Sequence, residues 1–335
     1  MRKRARVIYN PTSGREALRS DLVDILSIYE KAGYETSAFA TTPAPDSAKN
    51  EAMRAAKEGF DLIVAAGGDG TLNEVVNGIA GLEKRPTLAI IPAGTTNDYA
   101  RALRIPRDDP IAAAKLILKD NKKFKIDIGQ AGKNYFMNIA AGGTLTELTY
   151  DVPSQMKSLF GYAAYFAKGA ELMPRIKPVN MSIKYDGKEY RGEASMFLIA
   201  LTNSVGGFEQ IVPDAALDDG KFTMIIVKKS SVLDMLSLMT KALQGKHIDD
   251  ERIIYDKATN IEITPLNEDN RVMINLDGEY GGDAPMAFHD MKQHIEVVAN
   301  LDEIPDDAIT TSDDFKRVEE DFIKGVGDIE EQEGK

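Results

Sequence analysis

The chain has 335 residues, 43% of them apolar, with no Cys, no Trp and three His (His247, His289 and His294). That length exceeds what one hydrophobic core usually fills, so two domains are expected, and disulfides, zinc–thiolate sites and cysteine nucleophiles are excluded. The net charge of −12 is uneven: residues 301–335 hold 13 acidic and 4 basic side chains, which leaves about −3 on the rest. Nucleic acid is therefore not an expected partner. With so few histidines, an enzymatic base would have to be a carboxylate.

The amino end lacks the apolar stretch of a secretory signal. The longest apolar run, residues 159–167, is far shorter than the roughly 18–20 residues a membrane span requires. A soluble, cytoplasmic protein is expected.

In chain order, residues 5–9 read as a short strand that ends in the turn Asn10-Pro11-Thr12-Ser13-Gly14. Leu18, Leu22, Ile25, Leu26 and Tyr29 then recur at helical spacing, and Gly33 closes that helix. Residues 61–66 form a buried strand stopping at Gly67-Gly68, and Leu72, Val75, Val76 and Ile79 define the helix that follows. Residues 87–91 repeat the pattern, with Pro92-Ala93-Gly94 and another helical stretch behind them. This alternation predicts a parallel sheet covered by helices. From residue 124 strands follow one another instead: 125–128, 135–140, 179–185, 195–201, 222–227, 261–264, 272–276 and 295–298. Asp186-Gly187 marks a hairpin turn. Two helices interrupt the series, over 158–172 and over 232–243, the second with Ser230 and Ser231 as candidate caps and Gly245 as its stop. The second domain is thus expected to be an antiparallel sandwich over residues 124–298, after an α/β domain over 1–123. The acidic segment 313–335 is expected to be flexible.

Three glycine-rich turns follow three apolar strands of the first domain. Open parallel sheets bind ligands beyond the carboxyl ends of their strands, so three such turns point to one phosphate site. In Gly67-Gly68-Asp69-Gly70-Thr71-Leu72-Asn73-Glu74, glycines let backbone N–H groups approach a phosphate, and the helix that starts there turns its positive end toward it. Asp69 is an acceptor suited to a metal-bound water; as a plain connection it would instead cap the helix. The turn at residues 10–14 and the run Pro92-Ala93-Gly94-Thr95-Thr96-Asn97-Asp98 each also read as ordinary loops when taken alone. Near the other end, Leu276-Asp277-Gly278-Glu279 places two acids two residues apart around a glycine turn.

Together, the residue 10–14 turn, the Gly67–Glu74 octet, Pro92–Arg101 and Leu276–Gly282, in this order, resemble the diacylglycerol kinase catalytic family, its soluble Gram-positive branch above all. The likeness runs over about residues 1–300, including 212–223. Gly-Gly-Asp-Gly-Thr alone is shared with NAD kinases and phosphofructokinases. The resemblance implies a phosphofructokinase-like, Rossmann-like nucleotide domain, with the active site in the cleft against the β-sandwich and residues 299–312 returning to the first domain. It implies ATP contacts from Asn10, Pro11, Thr12, Ser13, Gly14, Thr41, Gly68, Asp69, Gly70, Thr71, Leu72, Asn73, Glu74 and Thr95. It implies Glu279 as the catalytic base, with Asp277, Asp69 and Asp98 beside it, and a structural magnesium on Ala216, Asp219 and Lys221, linked to these acids through waters. The implied reaction is ATP- and magnesium-dependent phosphorylation of diacylglycerol to phosphatidic acid, by a homodimer that recycles diacylglycerol released in lipoteichoic acid synthesis.

For phosphoryl transfer, which needs positioning and charge neutralisation above all, a carboxylate base and a magnesium-binding acid are the fitting residue types. Residues 156–175 mix Phe160, Tyr162, Tyr165 and Phe166 with Lys157, Lys168 and Arg175. They read either as a packed helix or as a surface resting on an anionic bilayer. Another lipid acceptor (a sphingoid base, ceramide or phosphatidylglycerol) would use the same phosphate chemistry. An NAD kinase would not be expected to carry the first and last motifs, and a non-catalytic binding protein would need no base.

Overall fold

The computed structural model describes residues 2–13, 17–119, 123–143, 178–204, 211–267 and 270–299. Gly14, the expected helix over 158–172, the stretch 156–175 and everything from residue 300 onward lie outside the described residues.

The amino-terminal half begins with the strand β1 (Lys3–Tyr9), the helix α1 (Ala17–Lys31), β2 (Tyr34–Ala40) and α2 (Ser47–Lys57). It continues with β3 (Leu62–Gly67), α3 (Asp69–Ile79), β4 (Thr87–Pro92), α4 (Asp98–Ala102) and α5 (Pro110–Lys115). The four strands pair in parallel in the order β2-β1-β3-β4. β3 and β4 are buried at every residue, as continuous apolar strands must be when helices cover both faces of a sheet.

Beyond them come β5 (Lys123–Ala131), β6 (Asn134–Phe136), β7 (Ile139–Gly143), β8 (Val179–Tyr185), β9 (Lys188–Ala200) and β10 (Phe222–Lys228). After the helix α6 (Val232–Leu243) follow β11 (Ile253–Ala258), β12 (Asn260–Pro265), β13 (Met273–Leu276), β14 (Glu279–Asp283) and β15 (Met286–Val298). The second half is antiparallel, as expected. β9 is long enough to serve two sets of partners, pairing β8 through its first half and β7 and β10 through its second. Its alternation sends Phe197 and Ile199 into a core with Phe136, Phe222 and Phe288. Leu198 and Ala200 face the other way, toward Met235 and Leu238 of α6. The ring of Phe136 stacks on Phe222 at 5.7 Å and meets Phe288 edge-on at 6.3 Å. α6 starts at Ser231 with a reciprocal capping box to Asp234, so of the two candidate caps it is Ser231 that acts.

β15 joins the halves. Its first residues pair with β12, most of its length with β5, and Val297 lies beside Leu88 of β4. Ile126 and Ile128 of β5 and Ile295, Val297, Val298 and Ala299 all belong to the amino-terminal core. By packing, therefore, the first unit includes β5, and the chain returns to it by residue 295. The expected single strand over 135–140 is two strands, interrupted at Met137 and Asn138, whose N–H groups are taken by a side chain described below.

Gly78 sets the packing of α3 on α2, because a Cβ there would lie 2.4 Å from the Lys49 carbonyl oxygen. Gly78→Ala should push the two helices apart and cost about 1–3 kcal/mol, read as a lowered midpoint in thermal denaturation.

Candidate active site

The ends of β1 to β4 gather the first group of residues. Asn10 follows β1, donates its N–H to the Ala66 carbonyl, and accepts from the N–H and hydroxyl of Thr12 with Oδ1 at 3.0 and 2.9 Å. Ser13 N–H donates back to the Asn10 carbonyl, closing the turn that holds Pro11. Thr41, just past β2, donates its N–H to the Tyr9 carbonyl. The turns after β3 and β4 touch backbone to backbone: a Cβ on Gly94 would lie 2.7 Å from Gly68 Cα. Only glycine permits that approach. Asn97, at φ +49, closes its own turn by accepting the Gly94 N–H at 2.8 Å and donating to the Gly94 carbonyl at 2.9 Å. Gly70 and Thr95 are exposed at this rim, and Thr71 is half-buried.

Asp69 is the first residue of α3 rather than its cap, which is Gly68. Its carboxylate accepts the N–H groups of Asn97 and Asp98. Burial, then the charges of Asp98 and Asp277, raise its pKa to about 6. Asp98 likewise opens α4 and accepts the Ser204 hydroxyl at 2.9 Å. Three acids far apart in sequence therefore share one site.

Asp277 sits at φ +51 between β13 and β14, followed by Gly278 at φ +96. Its Oδ2 accepts from Asn73 Nδ2 at 3.1 Å and from Met137 N–H at 2.8 Å. Its Oδ1 accepts the N–H groups of Asn138 and Ile139, both at 2.9 Å. Burial raises its pKa and these bonds oppose that shift. Tyr99 lies alongside. Its buried hydroxyl has no hydrogen-bond partner, and burial, then Asp277 and Asp127, push its pKa up.

Glu279, two residues on, is exposed, and its Oε1 lies 3.8 Å from where a Cβ on Gly70 would stand. The carboxylate thus hangs over the first turn of α3.

Two residues of the Gly67–Glu74 motif turn elsewhere. The Leu72 side chain is in the core, and Glu74 accepts the N–H groups of Ala48 and Lys49 at 2.8 and 3.4 Å, capping α2 from outside. Sequence reading missed Asn138, Thr202 and Ser204. Thr202 donates to Asn138 Oδ1 and accepts the Ser204 N–H, joining Asp98 to the segment held by Asp277. The signal was available in Leu201-Thr202-Asn203-Ser204, a polar break after a buried strand.

Ala216, Asp219 and Lys221 lie on the turn before β10. Asp219 accepts the Lys221 N–H at 3.0 Å and the Lys257 ammonium at 3.2 Å. Beside it Asp127 accepts the N–H groups of Gly220 and Gln293, both at 2.6 Å. Asp290 has both carboxyl oxygens buried without a partner, and burial, then Asp127 and Asp219, raise its pKa to about 8. Sequence reading missed Asp127 and Asp290.

Residues 4–131 match the model of the diacylglycerol kinase catalytic domain, and 148–299 that of the YegS C-terminal NAD kinase beta sandwich-like domain. The first match ends with β5, whose Ile126 and Ile128 lie in the amino-terminal core. A diacylglycerol kinase of Bacillus subtilis (strain 168) is 53% identical over 88% of this chain and 96% of its own length. One of Staphylococcus aureus (strain bovine RF122 / ET3-1) is 49% identical over 92% and 96%. The crystal structure of a diacylglycerol kinase from Bacillus anthracis str. Sterne superposes with a TM-score of 0.69 at 26% identity, covering 89% of this chain and 97% of that one.

The raised pKa of Asp69 gives a signed prediction. The folded state holds this proton more tightly than the unfolded chain, so the stabilisation is complete below the ordinary carboxyl value and is lost as pH rises through about 6. Asp69→Asn should therefore raise the melting temperature at pH 8 and raise it much less at pH 4.5, as thermal denaturation at the two pH values would show.

Proposed function

We propose, from the premise that this chain belongs to the diacylglycerol kinase catalytic family, that ATP binds across the turns after β1 to β4 and that Glu279 is the base. The enzyme class follows from that membership: a lipid kinase, acting on diacylglycerol. The observation that carries the site assignment is the Glu279 carboxylate standing over Gly70 at the N-terminus of α3.

The chemistry follows from the residues. The hydroxyl of diacylglycerol is a weak nucleophile, and Glu279 takes its proton as the oxygen attacks the γ-phosphorus of ATP. The bond from that phosphorus to the bridging oxygen breaks, ADP leaves, and phosphatidic acid forms. Backbone N–H groups of the glycine turns and the positive end of α3 hold the phosphates. Asp69 and Asp98 add negative charge beside those phosphates, so they would suit the magnesium ion that accompanies ATP.

Two roles for magnesium fit this chain. Among the described residues, no group of three or more His, Asp or Glu side chains could hold a metal by itself. A site on the Ala216 and Lys221 carbonyls and the Asp219 carboxylate offers the oxygen donors this hard cation prefers. The unpartnered buried oxygens of Asp290 next to Asp219 fit a positive charge there. Magnesium bound with ATP would neutralise phosphate charge. Because diacylglycerol resides in bilayers, the enzyme works at a membrane surface, as a peripheral protein on the inner face of the cell membrane. Among the described residues no helix is long and apolar enough to cross. A homodimer is the assembly we expect, and the product enters phospholipid synthesis.

Transfer of labelled phosphate from ATP to dioleoylglycerol in mixed micelles with magnesium tests this reading. Wild-type enzyme should form phosphatidic acid, and Glu279→Ala should lower kcat on the order of 10²–10⁴-fold. Unchanged turnover in the variant would remove Glu279 as the base.

A further inference from the structure

We infer that Asn73 and Asp277 are a positioning pair, whose hydrogen bond sets the Glu279 turn against the phosphate-binding helix, and that neither side chain contacts nucleotide or metal. This rests on the reading of Glu279 as the base. Family resemblance alone implies an ATP contact for Asn73 and a catalytic place for Asp277.

A carboxylate offers about four lone-pair sites, and Asp277 has four protein donors at 2.8–3.1 Å. A cation or a water network could bind Asp277 only by displacing one of them, leaving a buried N–H unpaired. Its backbone is also committed, with the Asp277 N–H on the Ile139 carbonyl at 2.9 Å. The Gly278 N–H donates to Asn275 Oδ1 at 2.9 Å. The Glu279 turn is thus fastened to β7 and β13.

Asn73 supplies the tie to α3. It lies three residues after Gly70, on the helix that receives the phosphates. Asn77, one turn further, donates from Nδ2 to Asn73 Oδ1 at 3.2 Å. That bond orients the Asn73 amide with Nδ2 toward Asp277. Asn77 in turn grips β6, donating to the Tyr135 carbonyl and accepting the Tyr135 N–H, both at 2.9 Å. Residues four apart share a helix face, so α3 turns one asparagine face to the second unit while its first turn stays open to ATP. A shift of about 1 Å in the base can cost roughly 10²-fold in rate, which is why such a tie matters.

The test is Asn73→Ala in the full-length enzyme, with two readouts. Calorimetry with ATP and magnesium, without lipid, should give a Kd within about twofold of wild type; a tenfold weakening would show a nucleotide contact and overturn the inference. Steady-state kinetics with dioleoylglycerol should show kcat lowered about 10- to 100-fold, with KM for ATP and the half-saturating magnesium concentration unchanged. Unchanged kcat would overturn the positioning role, even if the melting temperature fell. Asp277→Asn is the second variant: a half-saturating magnesium concentration raised tenfold would make Asp277 a metal ligand instead. If wild-type enzyme forms no phosphatidic acid, the substrate reading fails, while the calorimetric arm still judges Asn73.

Discussion

A carboxylate taken out of water must find donors or lose its charge, and Asp277 meets that requirement with four hydrogen bonds drawn from both halves of the chain. Much of the cleft follows from this. Satisfying Asp277 takes the N–H groups of Met137, Asn138 and Ile139, so β6 and β7 cannot be one continuous strand. It needs a left-handed residue followed by a left-handed glycine, which is why the β13–β14 turn is tight and why Glu279 emerges at its edge. It also draws in Asn73, which brings that edge over the first turn of α3.

The larger scaffold makes this contact possible. Parallel strands bring the loops after β1, β2, β3 and β4 to one edge, and the backbone contact between Gly68 and Gly94 fuses two of them into one surface. β15 fixes that surface relative to the antiparallel half, since it pairs with β12 at one end and packs in the amino-terminal core at the other. The acids concentrated here, Asp69, Asp98 and Asp277, repel one another. The fold tolerates them by giving each hydrogen-bond donors; burial raises the pKa of Asp69 and Asp277, and at Asp69 the neighbouring charges of Asp98 and Asp277 add to it.

Much of this was legible in the sequence, for identifiable reasons. Period-3.6 apolar spacing and uninterrupted apolar strands specified the parallel half. The glycine turns and Leu276–Glu279 each have ordinary structural uses alone, and it was their combination in one order that pointed to a site. Side-chain direction was less legible. Asn73 and Glu74 are neighbours in the motif, yet successive helical positions point about 100° apart, from the 3.6-residue turn. One therefore faces the second unit and the other caps α2. The membership of β5 in the first core, and the grouping of Asp127 with Asp219 and Asp290, depend on pairings across more than 90 residues. No local pattern encodes them. Tyr99 looked like an ordinary residue of a helical stretch because the charges of Asp277 and Asp127 that act on it come from distant parts of the chain.

A crystal structure of the chain with a non-hydrolysable ATP analogue, magnesium and a short-chain diacylglycerol would test the central claim most directly. The account predicts the terminal phosphate at the first turn of α3 beside Gly70. It also predicts the free hydroxyl of the lipid within hydrogen-bond reach of the Glu279 carboxylate, about 2.6–3.2 Å. A nucleotide bound away from the Gly68–Gly94 surface, or an acceptor hydroxyl facing another group, would contradict it.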